Sequence, residues 1–298
     1  MLDDLKFLST SPATYAFVTL LGLLWGSFAN VCIYRWPPSD EHPKGRSVVK
    51  PDSHCFKCLT PIRWYDNVPV LSYVWLRGRC RNCKTEFSPR YVLVELLTGA
   101  LFGCAWWFTL GTGGMFLAFD NRMLLFAIYA AFVWVMVVIT FIDLDHQLIL
   151  NKVTIPSIVI FYALGVVLPE RTWYDGLIGL AIGYGVPWLI GEVYFRLRGR
   201  EGLGLGDAML LGLVGALLGW KGVLVSLFGG SIVGTVITVI GLVVMRRPAV
   251  KDERTEGDAE AEGVLKQELP FGPFLAIAAV FWLFAEPWIR LDFQLPGG

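Results

Sequence analysis

The stretch MLLFAIYAAFVWVMVVITFIDLDH, residues 123–146, decides the class of this chain. No charge interrupts it between Arg122 and Asp143. A helix needs about 20 apolar residues to cross the hydrocarbon core of a bilayer. The run ends on two acids, Asp143 and Asp145, where such a helix would leave the membrane. A carboxylate at that boundary costs free energy, so its presence there points to function. A second acid of this kind, Asp207, sits in Gly204-Leu-Gly-Asp207 at the start of another apolar run.

The surrounding chain has the same character. Apolar residues make up 55%, mean hydropathy is +0.57, and only 17% of residues are charged. Soluble domains carry about 25% charged residues. The formal net charge is zero, so the chain shows no nucleic-acid signature and nucleic acid is not expected as a partner. The sequence predicts an all-α multi-pass membrane protein, in contact with membrane lipids, with about eight transmembrane helices and a small zinc-ribbon-like insertion. The first span lies between Lys6 and Arg35, and the second between Glu95 and Asp120. The third is the opening stretch, the fourth lies between Lys152 and Glu170, and the fifth runs from about Trp173 to Phe195. The sixth starts near Leu203 and ends at Trp220, the seventh lies between Lys221 and Arg246, and the eighth runs from about Phe271 to Ala285. The N-terminal stretch lacks the basic region and cleavage site of a secretory signal, so the first run is expected to be a retained helix.

Three regions follow from this pattern: a first helix over 1–34, a cysteine-bearing insertion over 35–91, and a membrane core over 92–298. Within the core, 246–269 is charged and has no aromatic residue, as expected of a mobile linker. With eight spans, the loops after spans 1, 3, 5 and 7 share one side and hold 20 of the 25 Lys and Arg. The positive-inside rule makes that side cytoplasmic. Asp143 and Asp207 then both face the cytoplasm. Gly179/Gly183, Gly215/Gly219 and Gly230/Gly234 are small-xxx-small pairs suited to close helix packing. No internal repeat is expected.

Cys55-Phe-Lys-Cys58 and Cys80-Arg-Asn-Cys83 are two CxxC pairs. Each pair can clamp a metal from one side, and four thiolates suit a structural, tetrahedral Zn2+. Two disulfides are the alternative, which a reducing cytoplasm disfavours. A short polar insertion builds little core of its own, so a metal staple is physically sensible there. Cys32 and Cys104 lie in apolar spans and are expected to be inert. His54 and His146 are expected to be exposed or interfacial polar groups.

Two carboxylates confined in one site cannot both ionise easily. One can keep its proton while the other acts as a base toward water, which is the chemistry of peptide hydrolysis. Gly-x-Gly-Asp alone is a weak signal. Its weight comes from the shared membrane side and the adjoining helix start. Asp145 competes with Asp143 for the catalytic role, and spacing alone does not choose between them. Other uses for such acids are a presenilin-like protease, an ion-coupled transporter or a non-catalytic membrane scaffold.

The motifs together resemble the type IV prepilin peptidase family over nearly the whole chain. Gly26-Ser-Phe-Ala-Asn-Val-Cys-Ile-Tyr-Arg35 resembles the family's first-span signature, and Ser53–Cys58, Ile62–Ser72 and Arg77–Cys83 resemble its zinc-binding region. Arg90–Leu97 continues the match, and Asp143-Leu-Asp-His-Gln-Leu-Ile and Gly204-Leu-Gly-Asp207 resemble its two catalytic motifs. Pro270-Phe-Gly-Pro-Phe-Leu-Ala276 resembles the motif that opens the last span. The resemblance implies a bifunctional enzyme of the bacterial inner membrane, with its active site on the cytoplasmic side. It implies that the enzyme cuts the leader from prepilins or pseudopilins of type IV pilus or type II secretion systems. It further implies methylation of the new N-terminus with S-adenosyl-L-methionine. It maps catalysis onto Asp143 and Asp207. It leaves the methyl-transfer residues open, with the cysteine insertion the expected location and Gly78 a candidate. Two positions depart from the family pattern: Leu150 replaces a common proline and Met209 a common lysine.

Overall fold

The computed structural model describes residues 10–50, 52–112, 119–168, 171–199, 204–245 and 270–294. The predicted linker over 246–269 lies outside the described residues. The described chain is mostly helical, and its β structure is limited to isolated bridges. The membrane-type helices are α1 (Pro12–Arg35), α3 (Arg90–Trp106, continued by a π turn over Trp107–Thr112), α4 (Phe119–His146), α5 (Asn151–Val167), α6 (Trp173–Arg198), α7 (Leu205–Met245) and α8 (Gly272–Gln294). A short α2 (Leu71–Trp75) lies in the cysteine insertion.

Five helices are long and apolar enough to cross a membrane: Pro12–Arg35, Arg90–Leu110, Asn121–His146, Trp173–Arg198 and Leu205–Gly241. Asn151–Val167 and Gly272–Pro287 are shorter apolar helices. The longest element is two helices in sequence, because Gly219 has φ 68° and ψ −174°, outside helical geometry. Glycine accepts a positive φ at little cost. Splitting there gives eight apolar segments, which correspond to the eight predicted spans. The break falls at Gly219, one residue before the predicted boundary at Trp220.

Local signals set the element ends. Ser11 caps α1 by accepting from the Thr14 N–H at 3.3 Å, and Pro12 occupies the first turn, where its missing N–H costs nothing. Thr172 and Asp175 form a capping box at the start of α6. At the Gly219 break, the Arg171 guanidinium donates to the carbonyl of Leu217. The same guanidinium pairs with Glu286 of α8 at 2.9 Å, which ties three helices together at the kink.

The centre of the bundle is α4. Phe132, Val133, Met136 and Ile139 are at most 2% exposed and pack with Phe161, Leu210, Leu213 and Leu275. Glycines set the closest crossings. A Cβ on Gly22 would lie 2.8 Å from Gly99 Cα, and one on Gly26 would lie 2.6 Å from Glu95 Cα, so α1 and α3 cross backbone to backbone. A Cβ on Gly179 would lie 2.2 Å from the Gly215 carbonyl oxygen, and one on Gly183 2.3 Å from that of Leu211. Gly230 and Gly234 let α8 approach at Leu275 and Phe274. Close packing, the expected role of the small-residue pairs, holds for all of these, and Gly219, whose Cα would lie 2.7 Å from a Cβ on Gly179, also makes the kink.

Candidate active site and metal centre

Asp143 sits in the last turn of α4 and is 5% exposed. Its carboxylate accepts from the backbone N–H of Gly272, the first residue of α8. The approach is tight: a Cβ on Gly272 would lie 2.5 Å from Asp143 Oδ2. Asp207 is half-buried in the first turn of α7, where its carboxylate accepts from the backbone N–H of Gly204. The charge of Asp143 is felt at Asp207. Ile149, 9% exposed, fills the space between the two helix starts. A Cβ on Gly206 would lie 3.0 Å from Ile149 Cβ, and one on Gly272 would lie 3.3 Å from Ile149 Cδ1. Three chain segments far apart in sequence thus converge around two carboxylates. Helix N-termini carry partial positive charge, so α7 and α8 each direct a favourable field at the acids.

Asp145 has different surroundings. Its carboxylate is exposed and forms an ion pair with Arg90 at the start of α3. Arg90 also donates to the carbonyl of Phe141 at 2.9 Å and lies over the Phe141 ring. That carbonyl lies near the C-terminal end of α4, so Arg90 fixes the end of the helix that carries Asp143. His146 is exposed, as expected. Met209 is half-buried two residues beyond Asp207, and Leu150 caps α5 with φ −79°. Sequence reasoning missed Gly272 and Arg90 as parts of this site. The Pro270-Phe-Gly-Pro motif and a lone arginine opening an apolar run were their signals.

The four sulfurs of Cys55, Cys58, Cys80 and Cys83 lie within 4.8 Å of one another. Cys55 Sγ is 3.7 Å from Cys83 Sγ, and Cys58 Sγ is 3.9 Å from Cys80 Sγ. A tetrahedral zinc with Zn–S bonds of about 2.3 Å requires sulfurs about 3.8 Å apart. A disulfide requires about 2.05 Å, and all four thiols are free. The donor set fits zinc.

The two CxxC turns are local copies of each other. Cys55 N donates to Thr60 O and Ile62 N to Ser53 O; Cys80 N donates to Thr85 O and Phe87 N to Gly78 O. Leu59 and Lys84, each directly after a CxxC pair, have φ of 55° and 59°. The sequence carries the same repeat as Cys-x-x-Cys-x-Thr, at Cys55–Thr60 and Cys80–Thr85. The Cys58 thiol is pulled down to about 6 by hydrogen bonds from the Thr60 hydroxyl and backbone. Backbone N–H groups, that of Cys83 foremost, lower Cys80. Both effects favour the thiolate that a metal needs. Beside this centre, Arg81 holds Asp66 through two hydrogen bonds, at 2.7 and 2.6 Å, and keeps that carboxyl below its usual range. Gly78 has φ 66°, and a Cβ there would lie 2.8 Å from the Tyr73 ring.

Two family models match the chain. Residues 20–109 match the bacterial peptidase A24 N-terminal domain, and residues 130–239 match the type IV leader peptidase family. Similar proteins include a prepilin leader peptidase/N-methyltransferase of Neisseria gonorrhoeae, 36% identical over 80% of this chain and 85% of that protein. A protein of the same name from Aeromonas salmonicida is 35% identical over 90% of each chain. Another from Myxococcus xanthus is 31% identical over 93% of this chain and 92% of its own. No solved structure matches the chain.

Proposed function

Because this chain belongs to the type IV leader peptidase family, we propose that it is a bifunctional enzyme of the bacterial inner membrane that cleaves and then N-methylates prepilins or pseudopilins. Asp143 and Asp207 are the catalytic pair and work on the cytoplasmic side. The observation that carries this reading is the convergence of these two acids at the starts of α7 and α8.

In the proposed mechanism one carboxylate takes a proton from water as the water oxygen attacks the scissile carbonyl. The protonated partner gives its proton to the carbonyl oxygen; the proton taken from water then passes from the first carboxyl to the leaving nitrogen as the C–N bond breaks, and the partner regains a proton from a hydroxyl of the tetrahedral intermediate. The pair titrates as a unit. Asp145 is bound by Arg90 and has a positioning role. Cys55, Cys58, Cys80 and Cys83 would hold a structural zinc, with no ligand position left for chemistry. S-adenosylmethionine, when bound, supplies an electrophilic methyl group for the new N-terminal amine, usually that of phenylalanine.

The test is mass spectrometry of a prepilin peptide after incubation with the purified protein and S-adenosylmethionine in a membrane mimic. The expected product has lost its leader after a glycine and carries one added methyl. Failure to cut any of several prepilins would favour a scaffold or transporter. Cutting without methylation would leave a peptidase alone.

A further inference from the structure

The stretch Trp64-Tyr-Asp-Asn-Val-Pro-Val-Leu-Ser-Tyr-Val-Trp-Leu76 of the cysteine insertion holds one charged residue, Asp66, and is bounded by Arg63 and Arg77. Arg81 neutralises Asp66. An apolar run of roughly 10–14 residues is too short to cross a bilayer as a helix and suits an interfacial segment. Within the stretch, α2 has two unlike faces. Ser72 and Tyr73 turn into the insertion, where the Tyr73 hydroxyl donates to the Phe87 carbonyl at 3.3 Å. Leu71, Val74 and Trp75 stand at i, i+3 and i+4, which places them together on the opposite face. They are 68%, 67% and 82% exposed. Three large apolar side chains thus share a face that no described residue covers.

The contact of this segment with α3 sets its depth. The Val70 N–H, directly before α2, donates to Glu95 Oε2 at 2.8 Å. Glu95 lies five residues into a span that begins at Arg90, about 7.5 Å along the helix axis. Arg90 pairs with Asp145 where α4 ends, which marks the polar boundary on that side. Interfacial helices bury their apolar face about 5–10 Å below such a boundary. Val70 holds φ 61°, a strained value for a β-branched residue, and so turns the chain into α2 at this level. Leu93 and Leu96, on the same part of α3, are exposed and apolar, as lipid-facing side chains are. Arg63 and Arg77 are exposed and make no ion pair among the described residues. Tryptophan and tyrosine favour the membrane interface, and basic residues there attract anionic headgroups. We propose that Trp64–Leu76 is an interfacial anchor. Leu71, Val74 and Trp75 enter the leaflet nearest the insertion, and Arg63 and Arg77 meet its anionic phospholipid headgroups. The anchor holds the cysteine insertion at a fixed height on α3, and it rests on the membrane-spanning fold rather than on either proposed activity.

The test is photo-crosslinking of zinc-loaded full-length protein in nanodiscs of phosphatidylethanolamine and phosphatidylglycerol. p-Benzoylphenylalanine replaces Leu71, Ser72, Trp75 or Leu24 in turn. Leu24 is an exposed side chain in the middle of α1 and reports reaction with lipid. Zinc content and circular dichroism report folding. Mass spectrometry should find phospholipid adducts at Leu71, Trp75 and Leu24, and adducts within the protein at Ser72. In discs of phosphatidylcholine alone, or with Arg63→Gln and Arg77→Gln together in the anionic discs, the Trp75 adduct should fall by about fivefold or more, the factor contributed by one cation near an anionic surface. The Leu24 adduct should not change. Lipid adducts at Leu24 with none at Leu71 or Trp75 overturn the anchor, as do equal lipid adducts at all four positions. A Trp75 adduct that moves from lipid to an added prepilin peptide also overturns it and makes the face a substrate surface. A Trp75 yield unaffected by lipid charge and by the double arginine variant overturns the headgroup contact.

Discussion

Asp143 and Asp145 stand two residues apart on one helix, yet their surroundings separate them. Asp143 is buried against the Gly272 N–H, and Asp145 is spent on Arg90. Asp145→Asn should therefore keep most cleavage activity, because Arg90 still caps the Phe141 carbonyl. Arg90→Gln removes both contacts and lets the end of α4 shift. A displacement of about 1 Å can cost on the order of 100-fold in rate, so cleavage by this variant should fall by roughly 10- to 100-fold. Gly272→Ala places a methyl 2.5 Å from Asp143 Oδ2. It should reduce cleavage by about 100-fold or more with a small change in melting temperature, read by cleavage rate beside a thermal melt. Spacing could not separate the two aspartates, and only the family resemblance chose Asp143, because both lie at a boundary and the partners that distinguish them come from α3 and α8. It could not read Gly272 as a contact either, since that glycine's role lies in what approaches it.

At the scale of elements, the helices were legible because charge marks both ends of nearly every apolar run. The crossings were legible as pairs of small residues, but their partners were not. Gly179 meets Gly215, and nothing in either helix alone announces the other. Gly215→Val should destabilise the α6–α7 crossing by about 1–3 kcal/mol, since the added carbon meets backbone that cannot step aside. Gly185→Ala on the same α6, with open space around it, should be neutral or stabilising by up to about 1 kcal/mol. Denaturant titration of the two variants in one detergent distinguishes these outcomes. Leu150 departs from a common proline yet holds φ −79° with an extended ψ of 117°, within the range proline adopts. Leu150→Pro should raise stability by about 0.4–1 kcal/mol, by restricting the unfolded chain. The two CxxC turns repeat in the sequence as Cys-x-x-Cys-x-Thr, but the positive φ that follows each pair, at Leu59 and Lys84, is carried by unlike residues and could not be read from them.

At the scale of the whole molecule, the cysteine insertion and the bundle respond to different conditions. Chelating the metal should loosen the insertion and abolish methyl transfer, while most helical circular dichroism persists. Acid reaches the insertion first, because thiolates must be protonated before zinc leaves. Asp66 adds a second, lower window. Its folded value is depressed by Arg81, so its contribution is complete above the unfolded value of about 3.9 and disappears as pH falls through the lower folded value. Asp66→Asn should therefore weaken zinc retention at pH 7, and differ little from wild type once acid has protonated both chains. Metal release followed by a chromogenic chelator across pH checks both windows. The proposed peptide hydrolysis requires Asp143 and Asp207 to act as one unit. The most direct measurement is a double-mutant cycle on prepilin cleavage with Asp143→Asn, Asp207→Asn and the double variant. Groups that act as a unit are grossly non-additive, so each single variant should lose about as much rate as the double. Additive losses, or substantial cleavage by either single variant, would contradict a shared dyad.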